Sequence, residues 1–355
     1  MPVSRLALGL VSALTLCAVA PISRSAAEPP HFSKPKPVLT PPQVAPLPPA
    51  TFDNTLAVGG DDLKAREVDT RLSVDVQVNG RGPYHFIVDS GADTSVVGQR
   101  VARNLELPLG TPLVLDGTTA RNVVDSVKVG QLTVGSSTFD NLELPALSEN
   151  DLGGDGMLGI DALAQQRVMM DFENRVIKVE DARTPVKHYA NEIVVLARRQ
   201  RGQLILTHVT AAGLPLDAVI DTGSEVTVGN LALRDKVMHW NPDKVVTVQA
   251  IGVTGKVIDL QVARIPELRL GSVTLWDVPI AFADLPPFKV FGISDEPALL
   301  LGTDILEKFQ RVSLDFRARK VRFQLRKCQS LVSFGTIPGV TTQLFATGNN
   351  EVCQS

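Results

Sequence analysis

The sequence predicts an all-β protein of two similar lobes with short helices, and three observations carry that reading. Hydrophobic residues make up 44% of the chain but aromatics only 5%, so Val, Leu, Ile and Ala supply the apolar surface, a composition that leans toward β structure. Alternating apolar segments end again and again in glycine turns, the pattern of hairpins. A ten-residue stretch, Phe86-Ile87-Val88-Asp89-Ser90-Gly91-Ala92-Asp93-Thr94-Ser95, returns as Ala218-Val219-Ile220-Asp221-Thr222-Gly223-Ser224-Glu225-Val226-Thr227. In both copies a buried-type strand ends on a carboxylate, and a small hydroxyl residue and a glycine then form a tight turn. A strand that delivers one acid, written twice in one chain, points to two acids that meet.

The chain has 355 residues, enough for one large or two medium domains with a true core. Its net charge is −3, and removing residues 1–26, with two arginines and no acid, takes it to −5. Such a balance attracts neither nucleic acid nor an anionic membrane.

Residues 1–26 have the layout of an export signal: Arg5, a short apolar run from Leu6 to Ala20, then small residues offering a cleavage site. The run is too short for a comfortable membrane span, so the expectation is export to the periplasm or the exterior, with no stable membrane insertion after cleavage. Cys17 falls inside this segment, and Leu16 before it argues against a lipid-modified cysteine. Residues 27–60 are crowded with proline and are expected to form a solvated spacer outside any sheet.

Two lobes are expected over residues 61–185 and 186–327. Each begins with a hairpin into the Asp strand: Leu72 to Val78 with a turn at Asn79-Gly80, and Leu204 to Val209 with a turn at Ala212-Gly213. A short helix follows each Asp turn, over Gln99 to Leu105 and Leu231 to Val237, and then a set of hairpins. An apolar pair with glycine comes next, Met157-Leu158-Gly159 and Leu300-Leu301-Gly302, the glycine opening a Gly-x-Asp-x-Leu run. A strand closing on Asp-Phe ends the series, at Asp171-Phe172 and Asp315-Phe316. The motif glycine trails its Asp by 70 residues in one copy and 81 in the other, and the Asp of Asp-Phe trails that glycine by 12 and 13. Four landmarks in one order, twice, mark a duplication.

The pair Asp89-Ser90-Gly91-Ala92 and Asp221-Thr222-Gly223-Ser224, each followed by the apolar-apolar-Gly element, resembles the aspartic peptidase clan. The short lobes are most similar to retropepsin-like bacterial aspartyl proteases. The resemblance covers about residues 64–326 and implies acid-protease-type β lobes related by a pseudo-twofold axis, facing each other across an active-site cleft. It implies Asp89 and Asp221 as one catalytic dyad within a monomer, an internal pseudo-dimer that cleaves a polypeptide substrate without a cofactor or metal. It also implies that the hydroxyls of Ser90 and Thr222 bond across the two loops. Gly91 and Gly223 would permit close approach and donate their amides to the acids. Ala92 lacks the hydroxyl that Ser224 carries, so a bond from Ser224 to Asp221 is expected to make Asp221 the more readily ionised partner. Lids are expected at Gly117-Thr118-Thr119-Ala120 and at Gly252-Val253-Thr254-Gly255. Neither has the tyrosine of pepsin-like flaps, and Tyr84 and Tyr189 lie elsewhere.

Other features read as structural. Asp161, Asp304, Asp171 and Asp315 stand at expected helix starts or strand ends, where carboxylates cap or pair with arginine. Leu152-Gly153-Gly154-Asp155-Gly156 lacks any phosphate-loop pattern, the five histidines lack metal-ligand spacing, and no Gly-x-Ser-x-Gly elbow is present. In the tail, residues 328–355, Cys328 and Cys353 would form a disulfide after export. Two alternatives stand beside the peptidase: a non-catalytic polypeptide-binding or assembly module on the same fold, and a homodimer with two separate sites.

Overall fold

The computed structural model describes residues 29–37, 61–68, 71–135, 137–163, 166–183, 185, 192–238, 245–326 and 343–346. The signal-like segment, most of the proline-rich stretch, most of the joint between the lobes, and Cys328 and Cys353 lie outside them.

The first lobe is a closed ring of strands. Arg71–Val78 pairs with Arg81–Val88, which pairs with Gly156–Leu158. The ring continues through Val96–Gly98, Ser137–Leu147 and Ser126–Val134, which returns to Arg71–Val78. Closure buries one side of every strand: Val74, Val76 and Val78 face inward while Asp75 and Gln77 face water. The second lobe repeats the ring with Gln203–Ala211, Leu214–Ile220, Ala298–Leu301, Val228–Gly229, Val273–Phe282 and Val257–Leu270. The helices after each Asp turn run over Gln99–Asn104 and Leu231–Val237.

The hairpin pattern of the sequence does not reveal one feature of these rings. The apolar-apolar-Gly strand runs parallel to the Asp strand and antiparallel to the strand after the Asp turn, so it is wedged between them. Its carbonyls hold the Asp backbone: Asp89 N donates to Leu158 O at 2.9 Å and Asp221 N to Leu301 O at 3.0 Å. The strands delivering the acids, Phe86 to Val88 and Ala218 to Ile220, are buried throughout. Glycine ends each wedge because a Cβ on Gly159 would sit 2.5 Å from the carbonyl carbon of Thr94, and one on Gly302 2.7 Å from that of Val226.

The lobes are joined by a six-stranded antiparallel sheet in the order Asp61–Val68, Val176–Asp181, Gln166–Asp171, Arg311–Asp315, Lys320–Gln324, Glu192–Gln200. Its central pair exchanges charges across the lobes. Arg167 Nε meets Asp315 Oδ2 at 3.1 Å, and Arg311 Nε meets Asp171 Oδ2 at 2.6 Å. Burial raises Asp171, but its bonds from Asn174 and Arg311 outweigh this and leave the carboxyl below its ordinary value.

Asp161 and Asp304 tie the far end of each Asp turn to the short helix behind it. Asp161 accepts from Ser95 N, Ser95 Oγ and Thr94 Oγ1 at 2.9, 2.7 and 3.1 Å. Asp304 accepts from Thr227 N and Thr227 Oγ1 at 3.0 and 2.7 Å. Burial pushes both acids up, Asp304 to about 6, despite these bonds.

The described part of the proline-rich segment, residues 29–37, departs from the solvated spacer expected of it. Lys36–Pro37 forms a strand antiparallel to Arg121–Val124, with Lys36 opposite Val123 and Pro37 opposite Asn122. Ser33 N and Oγ both donate to Asp125 Oδ2 at 2.9 Å, and Phe32 lies under the Arg103 guanidinium. Proline lacks a donor but is tolerated on an edge strand, which this one is. In the tail, Gln343–Ala346 extends the second ring beside Val273–Trp276.

Two outcomes are expected. Arg167→Ala leaves Asp315 almost fully buried without its closest cation and should cost about 3 kcal/mol, read as a lower urea midpoint. Asp304 has a folded pKa of about 6 against an ordinary 3.8, so the folded state holds its proton more tightly. Its contribution is complete below the lower value and is lost as pH rises through about 6. Melting temperature should therefore fall from pH 4.5 to 7 by less in Asp304→Asn than in the parent.

Candidate active site

The two Asp turns meet at the base of the cleft between the lobes. Asp89 and Asp221 are each 8% exposed, and their carboxyl groups lie close enough to affect one another's ionisation. The approach is close enough to dictate the next residue but one. A Cβ on Gly91 would lie 2.6 Å from Asp221 Oδ1, and one on Gly223 would overlap the carboxylate of Asp89.

The turns hold one another through their hydroxyls. Thr222 Oγ1 donates to Val88 O at 2.7 Å and accepts from Ser90 N at 2.9 Å. Reciprocally, Ser90 Oγ donates to Ile220 O at 2.9 Å and accepts from Thr222 N at 3.2 Å. Each hydroxyl spends both its donor and an acceptor site on the opposite lobe, so the turns cannot separate without stranding buried polar groups.

Each acid also accepts two amides from its own turn. Asp89 Oδ1 takes Gly91 N and Ala92 N at 2.7 and 3.1 Å; Asp221 Oδ1 takes Gly223 N and Ser224 N at 3.2 and 3.1 Å. The Ser224 hydroxyl does not take part, contrary to the sequence reading. It donates to Val226 O at 2.8 Å, closing a local turn, as serine does where a carbonyl two residues on comes within reach. The preference drawn from it loses its basis. Burial and then the Asp89 charge push Asp221 up to about 8. Burial raises Asp89 too, with the Gly91 and Ala92 amides and then the Arg71 charge opposing it.

The two hairpin turns expected as lids both line this site, and their tips touch. Gly117 and Thr118 form the turn between Leu113–Asp116 and Arg121–Val124, while Gly252 and Gly255 lie in the turn between Val246–Ile251 and Val257–Leu270. A Cβ on Gly252 would overlap Thr119, and one on Gly117 would lie 3.4 Å from Val253 Cγ2. Beneath them the cleft is open at its mouth. Leu115, Leu147, Leu152 and Met157 line it from the first lobe, Val290 and Phe291 from the second.

Sequence reasoning missed a pair of side-chain arms that cross between the lobes. Arg71 Nη2 reaches Glu225 Oε1 at 2.6 Å, and its Nη1 donates to Leu152 O at 3.1 Å. In the mirror position Gln203 Nε2 donates to Asp93 Oδ1, and Arg201 Nη2 adds a contact to Asp93 Oδ2 at 3.1 Å. The signal was in the repeat: Arg71 and Gln203 both stand eighteen residues before their Asp, and Asp93 and Glu225 both stand four after theirs. Among the described residues no cluster of His, Cys, Asp and Glu is arranged to hold a metal ion.

A sequence model of the family described as aspartyl protease matches twice, over residues 74–162 and 207–305, once in each lobe and together over more than half of the chain. No curated protein matches. The double match follows the two rings, and each matched region contains one of the paired acids, one wedge strand and one lid. The chain belongs to the aspartyl protease family, of the retropepsin-like kind, with two such lobes in one polypeptide.

Proposed function

We propose that the protein is an exported aspartic endopeptidase that hydrolyses peptide bonds with a water activated between Asp89 and Asp221. The observation that carries this reading is the buried, closely apposed pair of carboxyls at the base of an open cleft. Two such groups cannot both ionise cheaply, so one proton stays between them and the pair offers a base and an acid at once.

In the reaction Asp89, as carboxylate, takes a proton from the water, whose oxygen attacks the carbonyl carbon. Asp221 gives its proton to the carbonyl oxygen, forming a neutral tetrahedral diol. The proton on Asp89 then passes to the amide nitrogen, the C–N bond breaks, and a diol hydroxyl returns its proton to Asp221 as the new carboxyl group forms. The dyad is regenerated without any further group. Both acids come from one chain, which supports a monomer with a single internal site over a homodimer with two. The aliphatic lining supports substrates with apolar side chains beside the scissile bond. Export rests on the N-terminal segment read from the sequence.

The test is incubation of the secreted chain with a diverse peptide mixture across pH. Asp89→Asn and Asp221→Asn should each lower cleavage by at least about 100-fold. Gly223→Ala, which forces a Cβ into the Asp89 carboxylate, should lower kcat by about 100-fold through misplacement. Asp221 must keep its proton, so kcat/KM should decline as pH rises through about 8. Peptide binding without cleavage by the parent chain would support the non-catalytic module instead.

A further inference from the structure

The two lids leave their rings differently. In the second lobe one strand, Val257–Leu270, runs unbroken from lid into ring, pairing with Val246–Ile251 at its start and with Val273–Phe282 farther along. In the first lobe the corresponding strand is cut in two at Asp125, so that Arg121–Val124 belongs to the lid and Ser126–Val134 to the ring. The other leg of this lid parts from the ring at the same level: Gly110 N still donates to Ser126 O at 2.9 Å, while pairing within the lid begins at Leu113, opposite Val124. The first lid therefore has a hinge where the second has a continuous strand, and its two strands pair with no strand of the ring.

The chain's own N-terminal segment spans this hinge. Phe32 lies under the guanidinium of Arg103, at 5.6 Å, on the helix Gln99–Asn104 of the first lobe's body. Ser33 N and Oγ both donate to Asp125 Oδ2 at 2.9 Å, at the hinge itself, where Asp125 O also accepts Ala146 N from the ring. Lys36 and Pro37 then pair with Val123 and Asn122, on the lid. Successive contacts of one short segment thus fall on the body, the pivot and the moving part. A two-stranded hairpin by itself is marginally stable, and among the described residues this segment is the only third strand that the first lid has.

We propose that residues 29–37 are a strap that clamps the hinge of the first lid and so restrains the entry of a polypeptide to the dyad. The dyad and the lid tips bound one cleft and the tips touch, so a chain reaches the space between them when a lid moves aside. The hinged lid is the one that moves, and the strap sets how readily it does. The fastening is light enough to be undone. Ser33 and Lys36 are exposed, and Pro37 has no amide to donate, so the ladder to the lid is short. The inference rests on the peptidase reading for what passes the lid, while the clamp on the hinge stands apart from it.

The experiment compares the full secreted chain with two variants. Phe32→Ala/Ser33→Ala unfastens the strap from its own side, and Asp125→Ala unfastens it from the hinge. Amide hydrogen exchange is followed by mass spectrometry, and kcat/KM is measured on a polypeptide that the parent cleaves. Both variants should speed exchange of residues 113–124 by at least about 10-fold, as the loss of a hydrogen bond to a carboxylate implies. Val246–Ile251 in the second lid and Arg81–Val88 in the first ring should keep the parent's rates. The value of kcat/KM should rise in both variants by up to the same factor, because the open, binding-competent population grows. Loss of structure would not raise it. Unchanged exchange of residues 113–124 in the strap-side variant, loss of protection throughout the first ring, or faster lid exchange with an unmoved or lower kcat/KM overturns the inference. If Asp125→Ala does not fold, the strap-side variant decides alone. A parent chain that cleaves no peptide defeats the peptidase reading instead, and the exchange rates still decide whether the strap clamps the lid.

Discussion

The constraint on which this molecule depends is that two carboxyl groups must be held against each other, away from water, without both becoming charged. Left free, Asp89 and Asp221 would be separate solvated anions at neutral pH. The chain opposes their separation at three depths. The wedge strands fix each Asp backbone through a carbonyl of Leu158 or Leu301. The hydroxyls of Ser90 and Thr222 lock one turn to the other. The central sheet then binds lobe to lobe through the exchanged pairs of Arg167 with Asp315 and Arg311 with Asp171. The second and third layers satisfy buried polar groups from the opposite lobe, so opening the dyad would cost hydrogen bonds and ion pairs well away from it.

Duplication supplies the geometry, and the two copies are not chemically identical. Here the rings, wedges, turns and crossing arms match, while the residues at the arms do not: arginine on one side, glutamine on the other. The lids follow the same rule, with two glycine-bearing tips in contact above the cleft but built from different residues.

Much of this was legible in the sequence because it rests on local pattern. The Asp strands announced themselves by β-branched runs ending on an acid, and the helix at Leu231–Val237 falls where the pattern placed it. The repeat of Gly-x-Asp-x-Leu and Asp-Phe gave the lobe order. What depended on long-range partners was not legible. Proline-rich residues read as a spacer because nothing local shows that Lys36–Pro37 has the free edge of Arg121–Val124 to pair with. Ser224 was assigned to Asp221 by analogy of position, when the carbonyl of Val226 lies nearer its hydroxyl. Arg71 and Gln203 escaped notice because each reaches an acid in the other lobe, although their equal distance from the two aspartates was already there to be read.

The most direct test is a carboxyl-carbon NMR titration of the folded chain with labelled aspartate, Asp89 and Asp221 being assigned through their asparagine variants. Two coupled steps, with one proton retained by the pair at neutral pH, are what the proposed dyad predicts. Two independent titrations near the ordinary aspartate value, leaving both carboxyls ionised at neutral pH, would contradict it.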